Sequence, residues 1–310
     1  MIPSVLTSFL FALTGLCATQ SARIYGSGRA NFLRLVVALT ILAFWAHLLG
    51  SGWAGRSFGW FLWAGSIGFG IGGWCMFQAL RRLGSTLSLL IVETLAAVFA
   101  GVFSWYFLRA ELTPIQLGFA SLTLMGVVTG LLPNIKTGIP RRALLVGSVM
   151  ALLASVAQGL SFTFSKHAFL LLEESGESID AMTASYQRLL GGTLIALILY
   201  GAGLLLKEIH AGKPVDLPEN LKDGSRRFAI PGPAWVLLNA LFGPVLGIAC
   251  LLWAIRLVGN PGVVQTIVAT ATLLTVPLAR HLEGTRMGWN YYLGCLMALL
   301  GISGLLHVWS

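Results

Sequence analysis

Apolar runs of membrane-spanning length follow one another along the whole of this 310-residue chain, and that succession restricts its fold more than any motif does. A helical span needs about 17 to 25 predominantly apolar residues. Runs of that kind occupy 2–20, 31–49, 58–80, 86–108, 114–132, 143–165, 181–206, 233–255, 261–281 and 288–308. Only 10% of the residues are charged and 56% are hydrophobic, against about 25% charged in a soluble domain. A water-soluble fold would have too little polar surface to cover such a core. The expectation is an all-α polytopic membrane protein of about ten transmembrane helices.

Breaks between the runs carry Gly, Pro or charge: Gly26–Arg29, Gly50–Gly52, Arg81-Arg82, Arg109–Pro114, Pro133–Arg142, Gly259–Pro261 and Glu283–Arg286. The long polar connection, 207–231, reads as a solvated loop, and Glu173–Asp180 forms a second polar patch. The net charge is +9, but the basic residues stand singly or in pairs between apolar runs. That suits anionic headgroups and topology control, not nucleic acid. Cys17, Cys75, Cys250 and Cys295 each lie inside an apolar run with no CxxC pair, so they read as packing residues and no metal is expected. The apolar start at Ile2 has no basic segment before it, and the first run is read as a mature helix.

The two halves resemble each other. Gly68–Gly84 and Gly243–Gly259 match at six of seventeen positions at a constant offset of 175: Gly68/Gly243, Gly72/Gly247, Cys75/Cys250, Ala79/Ala254, Arg81/Arg256 and Gly84/Gly259. At an offset of 172, Glu93-Thr94 aligns with Gln265-Thr266, Glu111 with Glu283 and Thr113 with Thr285. Arg34-Leu35 pairs with Arg188-Leu189 near the starts of spans two and seven. These matches run in the same order through both halves. They define a first repeat over 1–137 and a second over 138–310. Five spans is an odd number, so the second copy enters the membrane from the opposite side. Such inverted repeats recur in secondary transporters. Most Lys and Arg fall in connections 1–2, 3–4, 5–6, 7–8 and 9–10, which puts both termini outside the cytoplasm.

The string Leu108-Arg109-Ala110-Glu111-Leu112-Thr113-Pro114-Ile115-Gln116-Leu117-Gly118 resembles the end-of-fourth-span signature of EamA-type members of the drug/metabolite transporter superfamily. Arg256–Gly262, followed by an apolar span ending at Glu283, resembles its second copy. The chain departs from the family pattern in three places. It has extra residues between Glu283 and Gly294, no Trp-Gly pair in the opening helix, and only Arg56 between spans two and three. The resemblance implies ten spans in two repeats, with a central cavity between the halves. It also implies export or exchange of small metabolites, such as amino acids or drug-like compounds, in a bacterial inner membrane.

Glu93 is the sharpest candidate for chemistry. It lies roughly eight residues inside its span, about 12 Å deep at 1.5 Å per residue. Carboxylates at such depth face a cavity or a partner. One that takes a proton in one state and releases it in another couples transport to protons, and an ionised one can recognise a substrate amine; a structural hydrogen bond between helices is the plainer reading. Gln265, its repeat equivalent, offers an uncharged donor and acceptor, and Thr94 and Thr266 follow the pair. Arg34 and Arg188 can hold a substrate carboxylate or phosphate through a bidentate guanidinium, or serve as scaffold by snorkelling to headgroups or forming a structural ion pair. Gln20, Gln78, Gln158, Trp74, Phe77 and Trp253 are candidates for a mixed polar and aromatic lining. Gly68-x-Gly70-x-x-Gly73 sits in an apolar helix without a preceding strand, so it reads as close helix contact and not as a dinucleotide site. No Walker, HExxH or GxSxG motif and no metal-ligand cluster occurs, and no cofactor is expected.

The function these features favour is a gradient-driven secondary transporter, monomer or homodimer, of a small-molecule substrate, with protons as a candidate coupling ion. Two alternatives belong to other classes. An intramembrane enzyme on a lipid-linked substrate would form product in detergent. A non-transporting receptor or assembly partner would co-purify another chain and show no flux.

Overall fold

Hydrocarbon offers no partner to a backbone N–H or C=O, so each crossing must satisfy its own, and the helix does so within one segment. A computed structural model describes residues 2–131, 139–209, 231–283 and 288–308. Every described apolar run forms a helix. They are α1 (Ile2–Tyr25), α2 (Ser27–Leu48), α3 (58–83), α4 (85–108), α5 (Pro114–Leu131), α6 (Arg141–Glu174), α7 (Ala181–Ile209), α8 (Gly232–Leu257), α9 (261–283) and α10 (Trp289–Val308). No strand occurs among the described residues. The segment Phe58–Leu108 is helical over 51 residues but for a break at Gly84. At 1.5 Å per residue it would be roughly 76 Å long, over twice a hydrocarbon core of about 30 Å. It therefore makes two crossings, and Gly84 at φ 81°, ψ 177° turns the chain between them. Gly26 does the same between α1 and α2, at φ 81°. Only glycine takes such backbone angles without strain. Helix α6 runs nine residues past its expected end at 165, so part of the Glu173–Asp180 patch is helical. Of the expected 207–231 loop, 210–230 lies outside the described residues, as do the 137/138 repeat boundary and Thr285.

The polarity of the bundle is turned outward. Leu145, Leu197, Leu296, Leu299 and Leu300 are exposed, while Ser, Thr, Gly and Ala crowd the interior. Water tolerates no apolar surface of that extent; lipid does. Small residues let the helices approach backbone to backbone. A methyl at Gly126 on α5 would lie 2.7 Å from the Ala298 N and Gly294 O of α10. A methyl at Gly65 on α3 would collide with the Arg188 carbonyl of α7, and one at Gly191 with the Leu62 carbonyl.

Helix neighbours repeat under exchange of the halves. Helix α1 packs on α8 and α9, as α6 packs on α3 and α4; α2 packs on α8 as α7 packs on α3. The pairs α2–α7, α4–α9 and α5–α10 join equivalent helices to each other. This is the contact pattern of a two-fold axis, in which a surface meets its own equivalent. The local detail repeats too. Wide π turns occupy Ser66–Gly72 in α3 and Leu241–Gly247 in α8, which are the same seven positions at the 175 offset. In α8 Pro244 has no N–H to give the helix, and its carbonyl accepts from Ser185 Oγ at 2.8 Å.

Leucine at Gly126 is expected to part α5 from α10 at a cost of about 1–3 kcal/mol, seen as a lower thermal midpoint in detergent. Leucine at Gly118, on the same helix with nothing within 4 Å of an added Cβ, is expected to leave the midpoint in place.

Candidate functional site

Pseudo-equivalent helices that cross on an axis bring their equivalent residues face to face. Glu93 on α4 and Gln265 on α9 meet this way: Gln265 Nε2 donates to Glu93 Oε2 at 2.6 Å, across 172 residues of sequence. Glu93 is 2% exposed and Gln265 fully buried. The carboxyl therefore has a neutral partner contributed by the other repeat.

Glu93 lines a small central cavity, about 50 Å³, between the halves. Helix α1 supplies Phe11 and Thr14, α2 Arg34, α3 Gly68, Phe69, Gly73 and Met76, and α4 Leu89 with Glu93. The second repeat supplies Gln158, Phe162, Arg188, Gly243, Pro244 and Ile248. A water needs about 10–15 Å³ of such space, so a few waters fit in this conformation.

Both arginines line this cavity and are buried, 5% and 1% exposed, not turned out to the lipid-facing surface as snorkelling would have them. Arg34 Nε donates to Asn31 Oδ1 at 3.1 Å, and its guanidinium sits 4.7 Å from the Phe77 ring centre. Arg188 Nη2 donates to Ser161 Oγ at 2.8 Å, with Phe69 and Phe162 at 5.2 and 5.7 Å. Its Nε and Nη1 have no hydrogen-bond partner. None of these neighbours is an anion. The π turns bring the glycine backbones of α3 and α8 up to these guanidiniums. A methyl at Gly68 would lie 3.5 Å from Arg188 Nη2, one at Gly73 3.2 Å from Arg34 Nη2, and one at Gly243 3.8 Å from Arg34 Nη1. The equivalent glycines Gly68 and Gly243 thus each face the arginine of the opposite repeat. Ser161 also donates to the Ala64 carbonyl at 2.5 Å, which fixes α6 to α3 beside Arg188.

The other candidates divide. Gln158 lines the cavity, its Nε2 3.7 Å from Met76 Sδ. Phe77 lies beneath Arg34. Gln20 is buried and its Oε1 lacks a partner. Gln78 is occupied by Arg82, whose Nη1 donates to its Oε1 at 2.6 Å. Thr94 and Thr266 turn their hydroxyls back to the carbonyls of Leu90 and Gly262. Trp74 packs against neighbouring helices, and Trp253 is exposed on the outside. The arginine-orienting groups Asn31 and Ser161 carry signals of unequal strength in the sequence. Asn31 is three residues before Arg34 and so on the same helix face. Ser161 is distant from Arg188 and carries none.

One end of the bundle is tied shut by polar contacts. Tyr186 Oη lies 3.0 Å from His47 Nε2 and accepts from Trp53 Nε1 at 2.9 Å. Gln187 Nε2 donates to the carbonyls of Gly52 and Ala54 at 3.0 Å each, and Asn260 Nδ2 donates to the Ala110 carbonyl at 2.7 Å. Two larger spaces lie away from the axis. A crevice of about 450 Å³ between α4, α5 and α9 is lined largely by apolar residues such as Val102, Trp105 and Leu124. A polar recess of about 460 Å³ at the ends of α6 and α8 holds Lys166, Glu173, Glu177 and Arg256. Neither holds the buried charges drawn from both repeats, so the smaller central cavity is the candidate site. Among the described residues no cluster of His, Cys, Asp and Glu could hold a metal ion.

The model of the EamA-like transporter family matches residues 1–131 and 145–306. A solved crystal structure, described only as that of a protein, is similar over 98% of this chain and 96% of its own. Its identity is 15% and its TM-score 0.63, a likeness of fold alone. No curated protein matches.

Leucine at Gln265 is expected to strand the Glu93 carboxyl and lower stability by about 1–3 kcal/mol. The double variant Glu93→Leu/Gln265→Leu is expected to recover part of that loss, read from thermal midpoints as a double-mutant cycle.

Proposed function

The chain belongs to the EamA-like transporter family, and from that premise we propose a secondary active transporter that exports or exchanges a small metabolite by alternating access. Substrate binds in the central cavity between repeats 1–137 and 138–310, in a bacterial inner membrane with both termini outside the cytoplasm.

The observation that carries this reading is the buried Glu93–Gln265 contact on the axis relating the halves, at the wall of the cavity. Two similar halves have two packings of similar energy, one open to each side. In one packing the 49–57 connection is held by Tyr186 and Gln187 at the start of α7; the alternate packing releases it. A ligand drives the exchange only through different affinities for the two states. Glu93 is placed to supply that difference for a proton. Its neutral form suits the apolar part of its surround, and its ionised form suits the Gln265 amide donor and the cavity that also holds Arg34 and Arg188.

The test is counterflow in proteoliposomes with amino acids, small sugars, organic anions and cationic dyes. One class is expected to exchange. Glu93→Gln is expected to keep counterflow but lose the component driven by a pH gradient. Normal pH-driven transport by that variant would remove Glu93 from coupling. Folded protein that exchanges no class would remove transport of these substrates.

A further inference from the structure

Charge in the central cavity is out of balance. Arg34 and Arg188 face it from α2 and α7, and Glu93 is the sole carboxyl in its lining among the described residues. The lining is therefore net +1 with Glu93 ionised and +2 with it protonated. Glu93 gives one oxygen to Gln265, while the arginines rest on an amide, a hydroxyl and the faces of three phenylalanines. A ring face steadies a guanidinium but does not neutralise it. Two donors of Arg188, in a residue 99% removed from solvent, have nothing to donate to. Buried charge without a counter-charge is costly, and proteins rarely keep it idle. The missing partner is an anion.

Geometry limits its shape. Both guanidiniums reach the same helix: Arg188 at Gly68 and Arg34 at Gly73. The contact points are five residues apart on α3, and because the π turn rises less per residue than an α-helix they lie at most about 7 Å apart along it. A methyl at either glycine would crowd the guanidinium or Ser161. A ligand spanning that distance has an oxyanion at each end and a short apolar middle, which Phe69, Met76 and Ile248 suit.

Resting on the transport reading above, we propose that the substrate is a small organic dianion, its two carboxylate or phosphate ends held separately by Arg34 and Arg188. Carboxylate and phosphate each present a pair of oxygens that can accept the two parallel N–H bonds of a guanidinium fork.

Purified protein in detergent, with no sealed compartment, tests this by thermal unfolding with succinate, ethane-1,2-diphosphonate, the neutral succinamide and the dication putrescine at millimolar concentration. Succinate or the diphosphonate is expected to raise the midpoint, and whichever does so names the oxyanion; the other two are expected to leave it unchanged. Arg188→Gln and Arg34→Lys are each expected to weaken that anion by about tenfold or more. The comparison of succinate with succinamide on the unaltered protein needs no variant to fold. Equal stabilisation by succinamide, or stabilisation by putrescine alone, overturns the proposal. So does counterflow of a neutral or cationic class by protein that neither anion stabilises, an outcome that leaves transport standing. Anion stabilisation without any counterflow would keep the anion site and remove the transport reading.

Discussion

Hydrocarbon solvates neither a peptide group nor a charge, and the rest of this structure follows from that. Each unpaired backbone group in the bilayer core costs several kcal/mol, so the chain crosses as helices and turns only at points such as Gly26 and Gly84. Lipid also removes the usual reason for helices to associate, because the outside is as apolar as the inside could be. What remains is close packing and interhelical hydrogen bonding. The backbone contacts at Gly65, Gly126 and Gly191 provide the first. Bonds such as Ser8 to the Ile267 carbonyl and Ser185 to the Pro244 carbonyl provide the second.

The same constraint makes the interior charges informative. A carboxyl or guanidinium held under lipid needs partners chosen by the fold, and for Glu93 the partner comes from across the two-fold relation. Glu93 meets its own equivalent, and the arginines at equivalent helix starts share one cavity. The glycines of the two π turns approach the arginine of the opposite repeat. A π turn at the same place in both halves is a local feature with a long-range use: it widens α3 and α8 where they face the axis. Scaffold and candidate site are thus built from the same elements.

The number of crossings, their places in the chain and the two-fold repetition could all be read from the sequence. Hydrophobic length and constant offsets are local or linear properties. The ten expected runs correspond to ten helices among the described residues, and the match of Gly68–Gly84 with Gly243–Gly259 includes most of both π turns. Glu93, Gln265, Arg34 and Arg188 stand out because charged and amide side chains inside the apolar runs are few. Sequence did not separate Gln158, which lines the cavity, from Gln78, which is spent on Arg82. Nor did it separate buried Phe77 from exposed Trp253. Facing is a matter of rotation about the helix, and an apolar run bounded by lipid carries almost no periodicity to set it.

By itself, then, the sequence determined a ten-helix membrane bundle in two related halves, because span length and repeat offset survive without knowledge of neighbours. Tertiary structure alone decided that Glu93 touches Gln265, that Ser161 orients Arg188 and that both guanidiniums open on one cavity. Those are distances between separate helices. They are set by how closely glycine backbones approach, which no single helix records.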